Sequence, residues 1–298
     1  MRKLLYRWLP GAWVDYLLLT RPISWIFVSL HMAVGFVLSI GTGLLQSAGS
    51  LALAALTWGI LGNGGTLALN SAFDRDEGDV GLLNNPPQPP PHLAKFGFGM
   101  MLLGLPFSML LGWRFVLAYG LSMVMSCLYS VPPIRLKARA GMDMLINSMG
   151  YGGLTIYAGW AATGKPLESP IISVVAAFAL IMAGGYPLTQ IYQMQEDAAR
   201  GDRTLALALG KQKALIYSAV CILAGFVFLF SEALINFGLI ALALVSLAFL
   251  SWARFLTPWI LKHRWVDVNF EKKGFYNALY AFALTDLAVV LAMLPVIR

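Results

Sequence analysis

Long apolar runs separated by short polar connections dominate the chain. They recur at lengths of about 20 residues, enough for a helix to cross a membrane. In order, they predict helices near 22–42, 50–73, 95–113, 115–132, 142–163, 169–192, 212–230, 233–253 and 275–296. The third and fourth meet so closely at Trp113-Arg114 that their boundary is indistinct. No polar stretch between them is long enough for a soluble domain. The expected architecture is all-α: one polytopic membrane domain over residues 1–298, a bundle of nine transmembrane helices. Residues 1–21 stand apart, because Arg7, Pro10 and Asp15 interrupt their apolar stretch. That pattern fits an amphipathic interfacial segment anchored by Trp8, Trp13 and Tyr16 better than a cleavable leader.

Composition agrees with this reading. The chain is 59% hydrophobic and 12% charged, against about 25% charged in a typical soluble domain. Basic residues set the orientation, since they gather in cytoplasmic connections. With the N-terminus in the cytoplasm, all 21 lysines and arginines except Arg114, Lys165 and Arg298 fall on that side. The net charge of +7 is then explained by topology and by attraction to anionic lipid headgroups. It does not call for a nucleic-acid partner. Cys127 and Cys221 both fall inside spans, which argues for packing residues and against a disulfide framework.

Half of the 14 carboxylate residues lie in two windows, 70–79 and 193–204, at the ends of the second and sixth spans. Charge beside lipid is costly and is retained chiefly for function. On a helix, Asp74 lies about 40° from Asn70 and Glu77 about 20° on the other side, so the three share a face. Gln193, Glu196, Asp197 and Arg200 form a similar stripe. Oxygen-only donors of this kind suit Mg²⁺, which keeps waters and is completed by substrate phosphates. With no Cys or His in either stripe, zinc is disfavoured. In the expected topology both windows face the cytoplasm, as does the basic exit of the fourth span, Arg135, Lys137 and Arg139 after Pro132-Pro133. Residues 84–91 are proline-rich and predict a stiff extended connection.

These motifs carry a resemblance. Asn70-x-x-x-Asp74-Arg75 is similar to the first aspartate-rich motif of the UbiA superfamily of intramembrane prenyltransferases. Asp197-x-x-x-Gly201-x-x-Thr204 resembles the tail of that superfamily's second motif, and Tyr129-Ser-x-Pro-Pro-x-Arg135-Leu-Lys137 and Thr20-Arg21-Pro22 also match its habit. Departures are visible too. Ser71 and Gly78 stand where the first motif normally has aspartates, Gln193 stands for the first Asp of the second, and the basic stretch after motif one is replaced by Asn84–Pro91. Glu77 on the same face, Asp76, or Asp79 after unwinding at Gly78, is left to replace the missing acid.

The resemblance implies Mg²⁺-dependent transfer of an isoprenyl group from a prenyl diphosphate to an aromatic or other lipophilic acceptor, at a cytoplasmic-side active site of an inner-membrane protein. It implies Asn70, Asp74, Glu77, Gln193, Glu196 and Asp197 as metal ligands, with Asp74, Asp197 and Tyr129 in catalysis. Asn70, Arg75, Arg135, Lys137, Arg203 and Arg21 would contact the diphosphate. A membrane terpene cyclase, needing no acceptor, uses the same site. A carboxylate-lined transporter is a third reading, disfavoured because carrier sites lie near the midplane. Tyr151, Tyr157, Trp160, Tyr186 and Tyr192 are candidates to line a cavity, though packing accounts for each. Asp143, at the start of the fifth span, reads as a helix-dipole partner. Asp286, deep in the last span, matches no motif, and intramembrane acids ordinarily face a cavity or a partner. His31, His92 and His263 show no spacing that suggests ligation.

Overall fold

The computed structural model describes residues 11–43, 47–74 and 79–294. The first ten residues of the expected interfacial segment, and Arg75, Asp76 and Glu77 of the first acidic window, lie outside them. Among the described residues every regular element is helical, and the two β-bridges, Val80–Leu83 and Arg139–Arg203, are isolated.

The elements are α1 (Gly11–Leu19), α2 (Pro22–Ile40), α3 (Ala48–Asp74), α4 (Leu93–Met109), α5 (Trp113–Ser130), α6 (142–161), α7 (Ser169–Ile191), α8 (Met194–Ala199), α9 (Leu205–Leu209), α10 (Lys211–Glu232), α11 (Gly238–Lys262) and α12 (Val268–Met293). Five described stretches are long and apolar enough to cross a membrane: Trp13–Ile40, Ala48–Asp74, Ser169–Ile191, Lys211–Lys262 and Val268–Met293. Leu93–Met109 is a shorter apolar helix. The protein is therefore multi-pass by length and composition.

Two helix ends run well past the apolar limits. Asp267 caps α12 by accepting from the Phe270 N–H at 2.8 Å, so Lys272 and Lys273 ride on its first turns instead of in a loop. α11 likewise runs on past residue 253 to Lys262. Hydropathy marks only the part of a helix that sits in hydrocarbon, whereas backbone hydrogen bonding continues into the headgroup layer. Among the described residues, three stretches widen to π-helix: Ala55–Gly64 in α3, Ser148–Leu154 in α6, and Ala233–Phe237 between α10 and α11.

The chain divides into two compact units. The first comprises residues 1–29 and 49–135. There Trp58, Phe115 and Tyr119 stack between α3 and α5, and Tyr119 Oη donates to the Met101 carbonyl of α4 at 2.9 Å. A smaller apolar cluster of Leu19, Ala68 and Leu93 ties α1, α3 and α4 together. Tyr16 donates to the Pro91 carbonyl, which anchors the proline-rich connection to α1.

The second unit comprises residues 30–48 and 136–298. Its core runs through Phe178, Ile181, Ile222, Phe226, Trp252 and Phe282 of α7, α10, α11 and α12. The later part of α2 packs on α6 at backbone distance: a Cβ on Gly159 would collide with the Met32 carbonyl oxygen, and one on Gly35 with that of Ile156. Gly159→Leu is expected to destabilise the protein by about 3 kcal/mol or more, since backbone cannot give way as a side chain can. A melting midpoint in detergent within a degree or two of the parent would refute that contact.

Asp286 finds its partner here. His31 Nδ1 lies 2.7 Å from Asp286 Oδ1, and Nε2 lies 3.2 Å from the Gly152 carbonyl in the π-turn of α6. Tyr151 stacks on the imidazole, and Phe178 and Phe282 close its edges. A carbonyl only accepts, so Nε2 carries a proton. One further proton lies between Nδ1 and Oδ1. Imidazolium with carboxylate and imidazole with carboxylic acid are both neutral overall, which is how two ionisable groups tolerate this depth.

Candidate functional site

In the first unit the end of α3 gathers the expected groups. Asn70 and Asp74 are one turn apart on one face. Asn70 Oδ1 accepts from Ser130 Oγ, the last residue of α5, at 3.2 Å. Arg135 Nη2 reaches Asp74 Oδ1 at 3.4 Å, with the two side chains 25% and 12% exposed. Pro132 and Pro133, joined by a cis peptide, stop α5 and turn the chain so that Arg135 comes back to α3. Arg21 Nη2 donates to Ser71 Oγ at 3.5 Å, so the serine that replaces an aspartate still engages an arginine. Both arginines sit at positive φ, 51° for Arg21 and 38° for Arg135. An L-residue there costs about 1–2 kcal/mol, and such strain concentrates at functional positions. Tyr129 is half-buried in the last turn of α5. Asp79 Oδ1 accepts from the Asn85 N–H at 2.7 Å, which gives it a role in shaping the following loop.

In the second unit α7 stops at Ile191 and α8 starts afresh at Met194, so the second stripe stands on a separate short helix, with Gln193 (φ −102°, ψ 3°) as its N-cap and Arg200 as its C-cap. Asp197 is buried while Glu196 is exposed and Gln193 half-buried. Asp197 Oδ1 accepts from Arg200 Nη2 at 2.6 Å, and Arg200 Nε lies 3.6 Å from Asp202 Oδ2. Burial raises the Asp197 carboxyl above the usual aspartate range, a tendency that hydrogen bonding to and the charge of Arg200 oppose. Arg203 exposes its side chain, but its N–H donates to the Ala138 carbonyl at 3.1 Å. That bond brings the basic 136–139 segment, including buried Lys137, against the acid-rich loop.

Asp143 lies in the first turn of α6, and its carboxylate also accepts from Gln190 Nε2 and the Leu205 N–H. The residues to which sequence reasoning gave no role are mostly such partners: Ser130, Asp202 and Gln190. Asp202 is legible as a charge inside the second window and Ser130 as a position of the Tyr129-Ser-x-Pro-Pro stretch, whereas Gln190 carries no signal beyond being polar near a span end. Cys127 and Cys221 are free thiols.

Among the described residues no group of three or more His, Cys, Asp or Glu side chains forms a ready metal cage. Mg²⁺ does not require one, since waters and substrate phosphates complete its shell. The donors offered, Asp74 and Asn70 in one unit and Asp197 in the other, are hard oxygens, each acid already beside an arginine suited to phosphate. The donor chemistry fits magnesium with a diphosphate.

A family model described as the UbiA prenyltransferase family matches residues 27–279. The chain belongs to the UbiA prenyltransferase family. A UbiA homologue from Archaeoglobus fulgidus, solved bound to DMAPP and Mg²⁺, superposes with a TM-score of 0.67 at 23% identity, over 93% of this chain and 99% of that one. At that identity the likeness carries the UbiA fold alone. Two relatives are named lycopene elongase/hydratase. The one from Haloarcula japonica is 28% identical over 79% of this chain and 81% of its own. The one from Halobacterium salinarum is 32% identical over 46% of this chain, a match spanning about half, 47%, of that relative's length.

Proposed function

We propose that this UbiA-family chain transfers an isoprenyl group from a prenyl diphosphate to a lipophilic acceptor within the membrane, across which it passes nine times with its N-terminus in the cytoplasm. The observation that carries the reading is the pairing of an acid and an arginine at the end of each motif, Asp74 with Arg135 and Asp197 with Arg200. In transfer the C–O bond of the allylic diphosphate breaks and pyrophosphate leaves with the electron pair. The allylic carbon takes an electron pair from an acceptor double bond, and the resulting cation loses a proton or captures water. Arg135, Arg21, Arg203 and Lys137 neutralise charge on the departing pyrophosphate. Asn70, Asp74, Gln193, Glu196 and Asp197 supply the oxygens for magnesium, which when bound screens the diphosphate charge. Tyr129 stands in the last turn of α5, beside Ser130, which holds Asn70, and serves to shield the cation from water.

The names of the curated relatives favour a long polyene over an aromatic ring as acceptor, and an inner membrane is the expected location. Purified protein incubated with Mg²⁺, prenyl diphosphates of several lengths, lycopene and a panel of aromatic acceptors is expected to yield an acceptor heavier by one isoprenyl unit, with or without one water, read by mass spectrometry. Pyrophosphate released without acceptor, together with a cyclic hydrocarbon, would replace transfer by cyclisation. No release with any substrate would remove the enzymatic reading.

A further inference from the structure

A buried polar knot joins the start of α6, the end of α7 and the start of α9. Asp143 has no exposed surface, and Gln190 and Thr204 are 5% and 6% exposed. Asp143 Oδ2 accepts from Gln190 Nε2 at 2.6 Å and from the Leu205 N–H at 2.8 Å. Gln190 Oε1 accepts from the Ala206 N–H at 3.2 Å. Leu205 and Ala206 open α9, so the first two N–H groups of that helix, which have no partner inside it, are satisfied by side chains from α6 and α7. Thr204 occupies the N-cap, where a threonine oxygen ordinarily accepts from the second or third N–H. Here it makes no cap bond, and its Oγ1 is buried without a partner, as is Asp143 Oδ1.

This knot fixes the far end of the acid-rich loop. From Asp197 the chain folds back through an Asp202 N–H bond to the Asp197 carbonyl at 2.9 Å and an Arg203 N–H bond to the Ala138 carbonyl, then enters α9 at the capped turn. The loop carrying Asp197, Arg200, Asp202 and Arg203 is thus held at its exit by two residues outside it. We propose that Asp143 and Gln190 are positioning residues that cap α9 from α6 and α7, and thereby set where the carboxylate of Asp197 and the cations of its loop stand for a bound diphosphate. The purpose rests on the proposed function; the capping does not. Ligand-bearing groups need placement within about 0.5 Å to act, and a five-residue helix cannot fix its own N-terminus.

The test uses the full chain in detergent with two readouts: hydrogen exchange of peptides covering 197–206, and binding of pyrophosphate with Mg²⁺ by calorimetry. Asp143→Ala is expected to raise deuterium uptake over 197–206 while α10 stays protected, and to weaken pyrophosphate binding about tenfold, as loss of an outer partner does. Asp143→Asn is expected to rescue both, because an amide oxygen in the place of Oδ2 still accepts both N–H groups. Thr204→Val is expected to leave protection of 197–206 unchanged, since its hydroxyl makes no cap bond. If Asp143→Ala does not fold, Gln190→Ala removes the Ala206 bond and the Asp143 bond but leaves Asp143 on the Leu205 N–H, and should shift both readouts the same way by less. Unchanged uptake, loss of protection in Thr204→Val, or a loosened loop that binds pyrophosphate as tightly as the parent would each overturn the positioning role. A parent chain that binds no pyrophosphate would overturn the proposed function itself, and the role with it.

Discussion

Replacing Asp197 by Ala is expected to lower Mg²⁺-dependent pyrophosphate release by about 100- to 1,000-fold, the usual effect of removing one group that stabilises developing charge, and Asp74→Ala should act in the same range. Each acid sits at a helix end and not in a core layer, so both variants should remain folded in detergent. Asp197 also predicts a pH signature. Burial raises its carboxyl and Arg200 holds it down, so the acid limb of kcat/KM should lie above the ordinary aspartate range. Arg200→Met removes both lowering influences, the hydrogen bond and the charge, so the acid limb should move to still higher pH. Full turnover in both alanine variants would remove the proposed ligands, and an acid limb that stays put in Arg200→Met would detach the profile from Asp197.

The second large effect concerns stability. Asp286→Ala leaves His31 without its carboxylate among Tyr151, Phe178 and Phe282, and His31→Ala leaves the buried Asp286 carboxyl without the imidazole. Breaking a buried pair from one side costs about 3–5 kcal/mol. Asp286→Asn should differ sharply. Its amide can donate to Nδ1 while Nε2–H keeps the Gly152 carbonyl, so both hydrogen bonds survive with neutral groups, and the change should cost about 1 kcal/mol. Melting midpoints of the three variants decide it. If Asp286→Asn falls as far as Asp286→Ala, a formal charge and not the proton count holds the site together.

Helix placement was legible because hydrocarbon demands apolar runs, and those runs mark α2, α3, α7, α10, α11 and α12 within several residues. Their ends were not, since the cap at Asp267 and the continuation of α11 obey hydrogen bonding and not hydropathy. Asp74, Arg135 and Asp197 stand out by residue type and spacing, but that Arg135 pairs with Asp74 and Arg200 with Asp197 does not. The break at Ile191 was hidden, because Gln193 to Arg200 has helical periodicity even though the chain re-enters helix at Met194. His31 and Asp286 were opaque for a different reason: they are 255 positions apart, and pairing over such a separation leaves no local pattern. Asp143 showed only its place in a first helical turn; its bonds to Gln190 and Leu205, 47 and 62 positions away, leave no local pattern either.

The positive φ of Arg135 sets two demands at one position against each other. The backbone there favours glycine or asparagine, while its guanidinium is what meets Asp74. Arg135→Gly would ease the backbone and give up the ion pair together, so relief of the bend and loss of the pair come as one change.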